Sequence, residues 1–287
     1  MKMKCPAAIL MLSFCCAQAE QARRPAEDPP AASSKSIPSL ATPGSCPVSE
    51  VLNRASSKAR QLVDTLQQFS ATEEVEHYEL RKNGKAQAPK TAHFSYAVEI
   101  HDVPATKFLY VEEYRNGRPG ETEFPTNLAT KGLPAFALIF HPDYIGDFSM
   151  ICEGLAEIHG RSAWQVRFVQ QRANRFRGYT VRNRWRPVKL QGRAWIAADG
   201  SVLRLDSELV EPVPEIQLKQ DHVTIDYRPV EFPKHNVQLW LPEMAEVTID
   251  LRGHSYRQRH AFRDFQLFWV ETGEKRKEPE LPPEEKQ

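Results

Sequence analysis

Two groups of side chains in this sequence carry covalent or ionic chemistry at a recognisable spacing: a pair of cysteines and a run of arginines. Five cysteines are present, and three of them, Cys5, Cys15 and Cys16, fall within the first nineteen residues. That leaves Cys46 and Cys152, which in an oxidising compartment most simply pair and close a loop of 106 residues. On the chain-entropy model a loop near that length stabilises a fold by roughly 4.7 kcal/mol. Two unpaired thiols are the other reading. A zinc site is disfavoured, because neither cysteine has a second cysteine or histidine at metal-ligand spacing.

The arginines Arg172, Arg175, Arg177, Arg182, Arg184 and Arg186 surround Phe176, Tyr179 and Trp185. Such a mixture can stack on bases or grip phosphates. In an exported chain it suits anionic lipid headgroups or an acidic envelope protein better than nucleic acid; the plainer account is a hairpin whose arginines pair with local acids. Nine histidines are scattered from His77 to His260, with no HExxH and no Gly-x-Ser-x-Gly. His254 and His260 would share one strand face about 20 Å apart, too far for one metal ion. Asp221 and His222 are adjacent, so on a strand they point to opposite faces and form no catalytic pair. No catalytic residue, metal ligand or cofactor is expected.

The elements that must position these groups begin after an export signal. Lys2 and Lys4 precede an apolar stretch from Ala7 to Phe14, and Ala17-Gln18-Ala19 has the small residues of a cleavage site before Glu20. Residues 1–19 read as a signal peptide. Lipidation is the alternative, but Phe14 stands where a small residue should precede Cys15. Residues 20–45, rich in Pro, Ala and Ser, read as a disordered linker, and 274–287 as a charged, proline-bearing tail. Residues 46–273 form one domain. With 38 basic against 37 acidic residues the net charge is +1, and loss of the two leader lysines makes it −1. So balanced a chain is no nucleic-acid binder, and no apolar run reaches the roughly 18 to 20 residues that cross a bilayer.

Within the domain, Val48, Val51, Leu52, Ala55, Ala59, Leu62, Val63, Leu66 and Phe69 recur at three- and four-residue steps and predict an amphipathic helix. The period then becomes two. Ala92 to Ile100 alternates, Phe108 to Val111 starts another strand, and Asn83-Gly84 and Asn116-Gly117 supply turns, giving a three-strand meander. Leu133, Phe136, Ala137, Ile139 and Phe140 return to helical spacing between Pro134 and Pro142. Strands resume at Trp164, Val166 and Phe168, and alternating sets continue to Trp269, including Val237-Leu239-Leu241 and Ala245-Val247-Ile249-Leu251. Nine or ten strands with two helices predict a mainly β (α+β) fold: one large curved antiparallel sheet or unclosed half-barrel, with two packed sheets as the alternative.

This order of elements, together with Ala194-Trp195-Ile196-Ala197-Ala198-Asp199-Gly200 and Leu203-Arg204-Leu205 as a strand-turn-strand, resembles the periplasmic lipoprotein-carrier superfamily, the LolA-like outer-membrane lipoprotein-sorting proteins. The resemblance spans about residues 46 to 272 and implies a half-barrel with helices over its concave side. It implies too that the protein holds a lipid or acyl chain or senses an envelope component. No ligand residue of that family can be matched one by one. On physical grounds, a curved sheet with an apolar concave side gains roughly 0.8 kcal/mol per buried methylene of a bound chain, and Phe136, Leu138, Ile139, Phe140 and Tyr144 would serve as cover and ligand wall. The competing reading makes them ordinary core in an envelope interaction module that binds another protein.

From the leader pattern, amino-terminal mass analysis of the exported protein is expected to find Glu20 first and no acyl group; a lipid on Cys15 or Cys16 would reverse that.

Overall fold

A computed structural model of the chain describes residues 40–42, 46–65, 68–103, 108–119, 132–174, 176–181 and 184–268. The expected signal peptide, most of the expected linker and the expected charged tail lie outside these residues. The chain first forms β1 (Leu40–Thr42) and α1 (Val48–Thr65), then the strands β2 (Gln68–Glu79), β3 (Lys90–Val103), β4 (Phe108–Arg115) and β5 (Arg118–Pro119). A 3₁₀ segment (Leu133–Phe140) and α2 (Pro142–Ile145) interrupt the strands. There follow β6 (Phe148–Ile158), β7 (Arg161–Gln170), β8 (Gly178–Val181), β9 (Arg184–Pro187), β10 (Leu190–Ile196) and β11 (Val202–Leu209). The last three are β12 (Leu218–Phe232), β13 (Val237–Leu251) and β14 (His254–Leu267).

Twelve of the described strands make one antiparallel sheet in the order β1-β6-β7-β10-β11-β12-β13-β14-β2-β3-β4-β5, while β8 and β9 pair separately as a hairpin. The sheet is an unclosed half-barrel, as expected, with β1 and β5 at its edges. Period-two patterning sets its register. On β13, Leu239, Leu241, Ala245, Val247 and Ile249 are buried, while Thr248 and Asp250 alternate with them. The two apolar sets predicted as separate strands are one strand, because the register skips between Asp226 and Tyr227, opposite Met244 and Pro242. Pro242 cannot donate to the ladder, and a bulge absorbs the missing hydrogen bond without ending the strand.

The helix is shorter than its apolar stripe. It stops at Thr65, and Phe69 is instead the first inward residue of β2, buried against Tyr96 and Phe265. One face of α1, carrying Val51, Ala55, Ala59, Leu62 and Val63, lies on the sheet. The Asp199-Gly200 turn fixes its height: Gly200 has φ 88°, and a Cβ there would sit 2.5 Å from the Arg54 backbone, so only glycine lets turn and helix come this close. Arg54 then donates to the Ala198 carbonyl.

Cys46 and Cys152 form the expected disulfide, with Cα atoms 6.1 Å apart. It joins the residue just ahead of α1 to the middle of β6. Leu40–Thr42, on the other side of Cys46, runs along the same strand, pairing Leu40 with Ala156 and Thr42 with Leu155.

Replacing both Cys46 and Cys152 by serine is expected to lower unfolding stability by about 2 to 5 kcal/mol, measured by denaturant titration against the oxidised protein.

Candidate functional site

The concave face of the sheet is where the sequence placed a ligand, and the chain's own residues cover it. All eight residues of Leu133–Phe140 are buried. The expected α-helix is a 3₁₀ helix: Gly132 enters in the left-handed region (φ 78°), and Pro134 in the first turn removes one donor. A run this long is unusual for a 3₁₀ helix, whose hydrogen bonds are poorer than those of an α-helix. Burial of its apolar side chains therefore holds the segment in place. Phe136, Leu138, Ile139, Phe140 and Tyr144 all join the main apolar cluster with α1 and the inward strand residues.

The second element over this face is the arginine-rich excursion between β7 and β10. Phe176 packs edge-on against Phe136, Tyr144 and Phe148, at ring distances of 6.0, 5.6 and 6.3 Å. Arg177 lies 5.3 Å over the Phe136 ring and pairs with buried Asp221 on β12 at 2.8 Å. The Tyr179 hydroxyl donates to the same carboxylate at 2.6 Å. Burial, and then the Asp221 charge, push the Tyr179 hydroxyl well above its ordinary range, so it remains a donor. Asp221 and His222 do point opposite ways: His222 lies 3.1 Å from Asp206 on the other face. Of the other arginines, Arg172 pairs with Asp147. Arg184 and Arg186 stand on exposed β9, and Arg175 and the Arg182 side chain lie outside the described residues.

Sequence reasoning missed a buried polar cluster at the β14-β2-β3-β4 end of the same face. Glu73 accepts two hydrogen bonds from Arg115, at 2.6 and 2.8 Å, and a third from His260 Nδ1 at 2.8 Å. Beside them the Tyr96 hydroxyl donates to Glu113, which also accepts from the Gly132 N–H at 2.9 Å, where the 3₁₀ segment begins. Gln258 and His77 meet at 3.3 Å. Burial alone would raise the Glu73 pKa, but the hydrogen bonds from His260 and Arg115 outweigh it and hold the carboxyl at about 2. For Glu113 burial wins over the Arg115 charge, and its pKa rises. His77 Nε2, His260 Nε2 and Glu113 Oε2 are buried without a hydrogen-bond partner. A signal did exist: Glu73 alternates with Ala71 and Val75 at positions that otherwise face inward.

A cavity of about 40 Å³ is lined by Ala59, Leu62, Ala137, Tyr227, Leu239 and Trp240, enough for a water molecule or so. A larger groove of about 480 Å³ lies outside α1, but Glu50, Arg54, Lys58 and Asp199 make it polar. Among the described residues no group of three or more His, Cys, Asp or Glu is placed to hold a metal ion.

No family model matches the sequence, and no curated protein matches it. Among solved structures the chain is similar to a DUF1329 family protein from Desulfovibrio piger, at 12% identity and TM-score 0.44, over 80% of this chain and 95% of that one. It is similar to a putative outer membrane lipoprotein-sorting protein domain from Vibrio parahaemolyticus, at 11% identity and TM-score 0.42, over 78% and 93%. A LolA superfamily protein from Nitrosomonas europaea follows at 11% identity and TM-score 0.36, over 77% and 94%.

The Glu73 cluster generates a pH dependence. A carboxyl whose folded pKa is depressed stabilises the fold above its unfolded value, near 4.5, and that contribution is lost as pH falls toward about 2. Glu73→Gln is expected to flatten acid unfolding over this window, measured by circular dichroism melts at stepped pH.

Proposed function

We propose that this chain is an exported, non-catalytic binding protein that takes an apolar chain, a lipid or acyl group, onto its concave face in exchange for its own cover. One observation carries the reading: the cover is an unbroken apolar 3₁₀ segment, all eight residues buried, held chiefly by burial. An acyl chain offers the sheet the same kind of surface, roughly 0.8 kcal/mol per methylene. The cover's ties to the sheet include the Gly132 N–H to Glu113 and the Leu109 N–H to the Tyr144 hydroxyl at 3.0 Å. The Cys46–Cys152 bridge supports an oxidising compartment and hence export. Among the described residues no helix is long and apolar enough to cross a membrane.

A second reading, an envelope interaction module with a filled core and a protein partner, draws on a different observation. Arg177 with Asp221, and Glu73 with Arg115, already occupy the concave side as buried ion pairs. Displacing one partner of such a pair costs about 3 to 5 kcal/mol, which favours a concave side that stays shut.

Titration with a fluorescent fatty acid separates the two. Wild type is expected to bind the probe, and Phe140→Asp to lose it with circular dichroism retained, since an unpaired charge is costly in an apolar site. Tyr144→Phe, which removes the acceptor for the Leu109 N–H, is expected to bind the probe more tightly by loosening the cover. No uptake by wild type or by Tyr144→Phe would leave the filled-core reading.

A further inference from the structure

The apolar cover enters over the concave face beside a buried carboxyl. Gly132, the residue ahead of the 3₁₀ segment, donates its N–H to Glu113 Oε1 at 2.9 Å, and the Tyr96 hydroxyl donates to the same oxygen. Glu113 is 6% exposed, and its other oxygen, Oε2, is buried with no hydrogen-bond partner. On β4 it alternates with Leu109 and Arg115, both buried too. Arg115 gives two hydrogen bonds to Glu73, which accepts a third from His260 Nδ1. With Nδ1 donating, Nε2 of a neutral imidazole is an acceptor. In His260 that atom is likewise buried and without a partner.

An apolar chain that takes the place of the cover removes the Gly132 N–H from Glu113. Two buried carboxyl oxygens would then share one donor, the Tyr96 hydroxyl, and a buried polar atom left unmet is costly. A ligand avoids that cost by bringing its own donor to the position of the Gly132 N–H. Burial, opposed by the Arg115 charge, raises the Glu113 pKa, which favours a protonated carboxyl whose O–H calls for an acceptor. One small uncharged group answers both needs, because a hydroxyl or an amide donates through its hydrogen and accepts at its oxygen. A carboxylate or phosphate brings acceptors and a negative charge to a place where Arg115 already has Glu73 as its counter-ion. An ammonium brings donors alone and sets a second positive charge beside Arg115.

We infer that the polar end of the concave face, centred on Glu113, is a head-group site that selects an amphiphile with an uncharged hydroxyl or amide head, resting on the acyl-chain reading above. In the covered state the Gly132 N–H stands in for the donor of that head, just as the 3₁₀ segment stands in for the chain. Glu113 is the specificity residue, and His260 Nε2 offers a further acceptor on the neighbouring inward surface.

The test sets decanol, decanamide, decanoate and decylamine in competition against a neutral fluorescent probe, N-phenylnaphthylamine, on the full exported chain at neutral pH. The alcohol and the amide are expected to displace the probe at concentrations about ten-fold below those of the two charged ligands, the factor that one buried hydrogen bond supplies. Glu113→Leu is expected to bring all four to equal affinity with circular dichroism retained. Glu113→Gln, which keeps one acceptor and one donor in place, is expected to preserve the preference, and it decides the matter should the leucine variant fail to fold. Equal displacement by the four heads, tightest binding of decanoate or decylamine, loss of the preference in Glu113→Gln, or its survival in a folded Glu113→Leu would overturn the head-group site and leave the acyl-chain reading standing. Uptake of neither the probe nor any of the four chains would remove both.

Discussion

An open sheet with one apolar face has to be covered, and most of this structure follows from that requirement. Twelve strands without closure expose a wall of Val, Leu, Ile and aromatic side chains on one side, and water on that wall would cost far more than a small domain's net stability. Three pieces of chain answer it: α1, the 3₁₀ segment with α2, and the root of the arginine hairpin. Each is anchored differently. A disulfide and a glycine-tight turn hold α1, apolar burial holds the 3₁₀ segment, and the hairpin root is held by an ion pair sunk into the sheet.

The buried charges make this covering specific rather than strong. Removing an ion pair from water usually costs about as much as the pairing returns, whereas breaking one already buried is expensive. Glu73, Arg115 and His260 therefore tie three strands to one arrangement, and Arg177 can seat the hairpin only over Asp221. Glu113 extends the first cluster to the entrance of the 3₁₀ segment, so the polar end of the concave face and its apolar cover share a contact.

Much of this was legible in the residues. Alternation along β12 and β13 names the inward positions, the Asn-Gly and Asp-Gly pairs mark turns, and the two cysteines beyond the expected leader, Cys46 and Cys152, point to the disulfide that the structure shows. What stayed hidden was pairing at a distance. Period two says which face Glu73 occupies, but not that Arg115, 42 residues on, and His260, 187 residues on, lie beside it. The 3₁₀ form of Leu133–Phe140 was hidden for another reason: the segment is apolar on every side, so no stripe distinguishes one helical period from another. The Pro242 bulge was masked because proline usually ends a strand and here bends one.

The covalent bridge between Cys46 and Cys152 also decides how force would travel. A pull on the linker ahead of Cys46 does not pass through α1 and the strands that follow it. It crosses the β1 pairing and the sulfur bridge directly to β6, the strand beside edge strand β1. The residues inside the loop, the 3₁₀ cover among them, are spared the tension. Fully drawn out they would add roughly 350 Å of slack at about 3.3 Å per residue. A linker hauled by whatever it is attached to would thus load one strand near the sheet's edge and leave the covered face at rest.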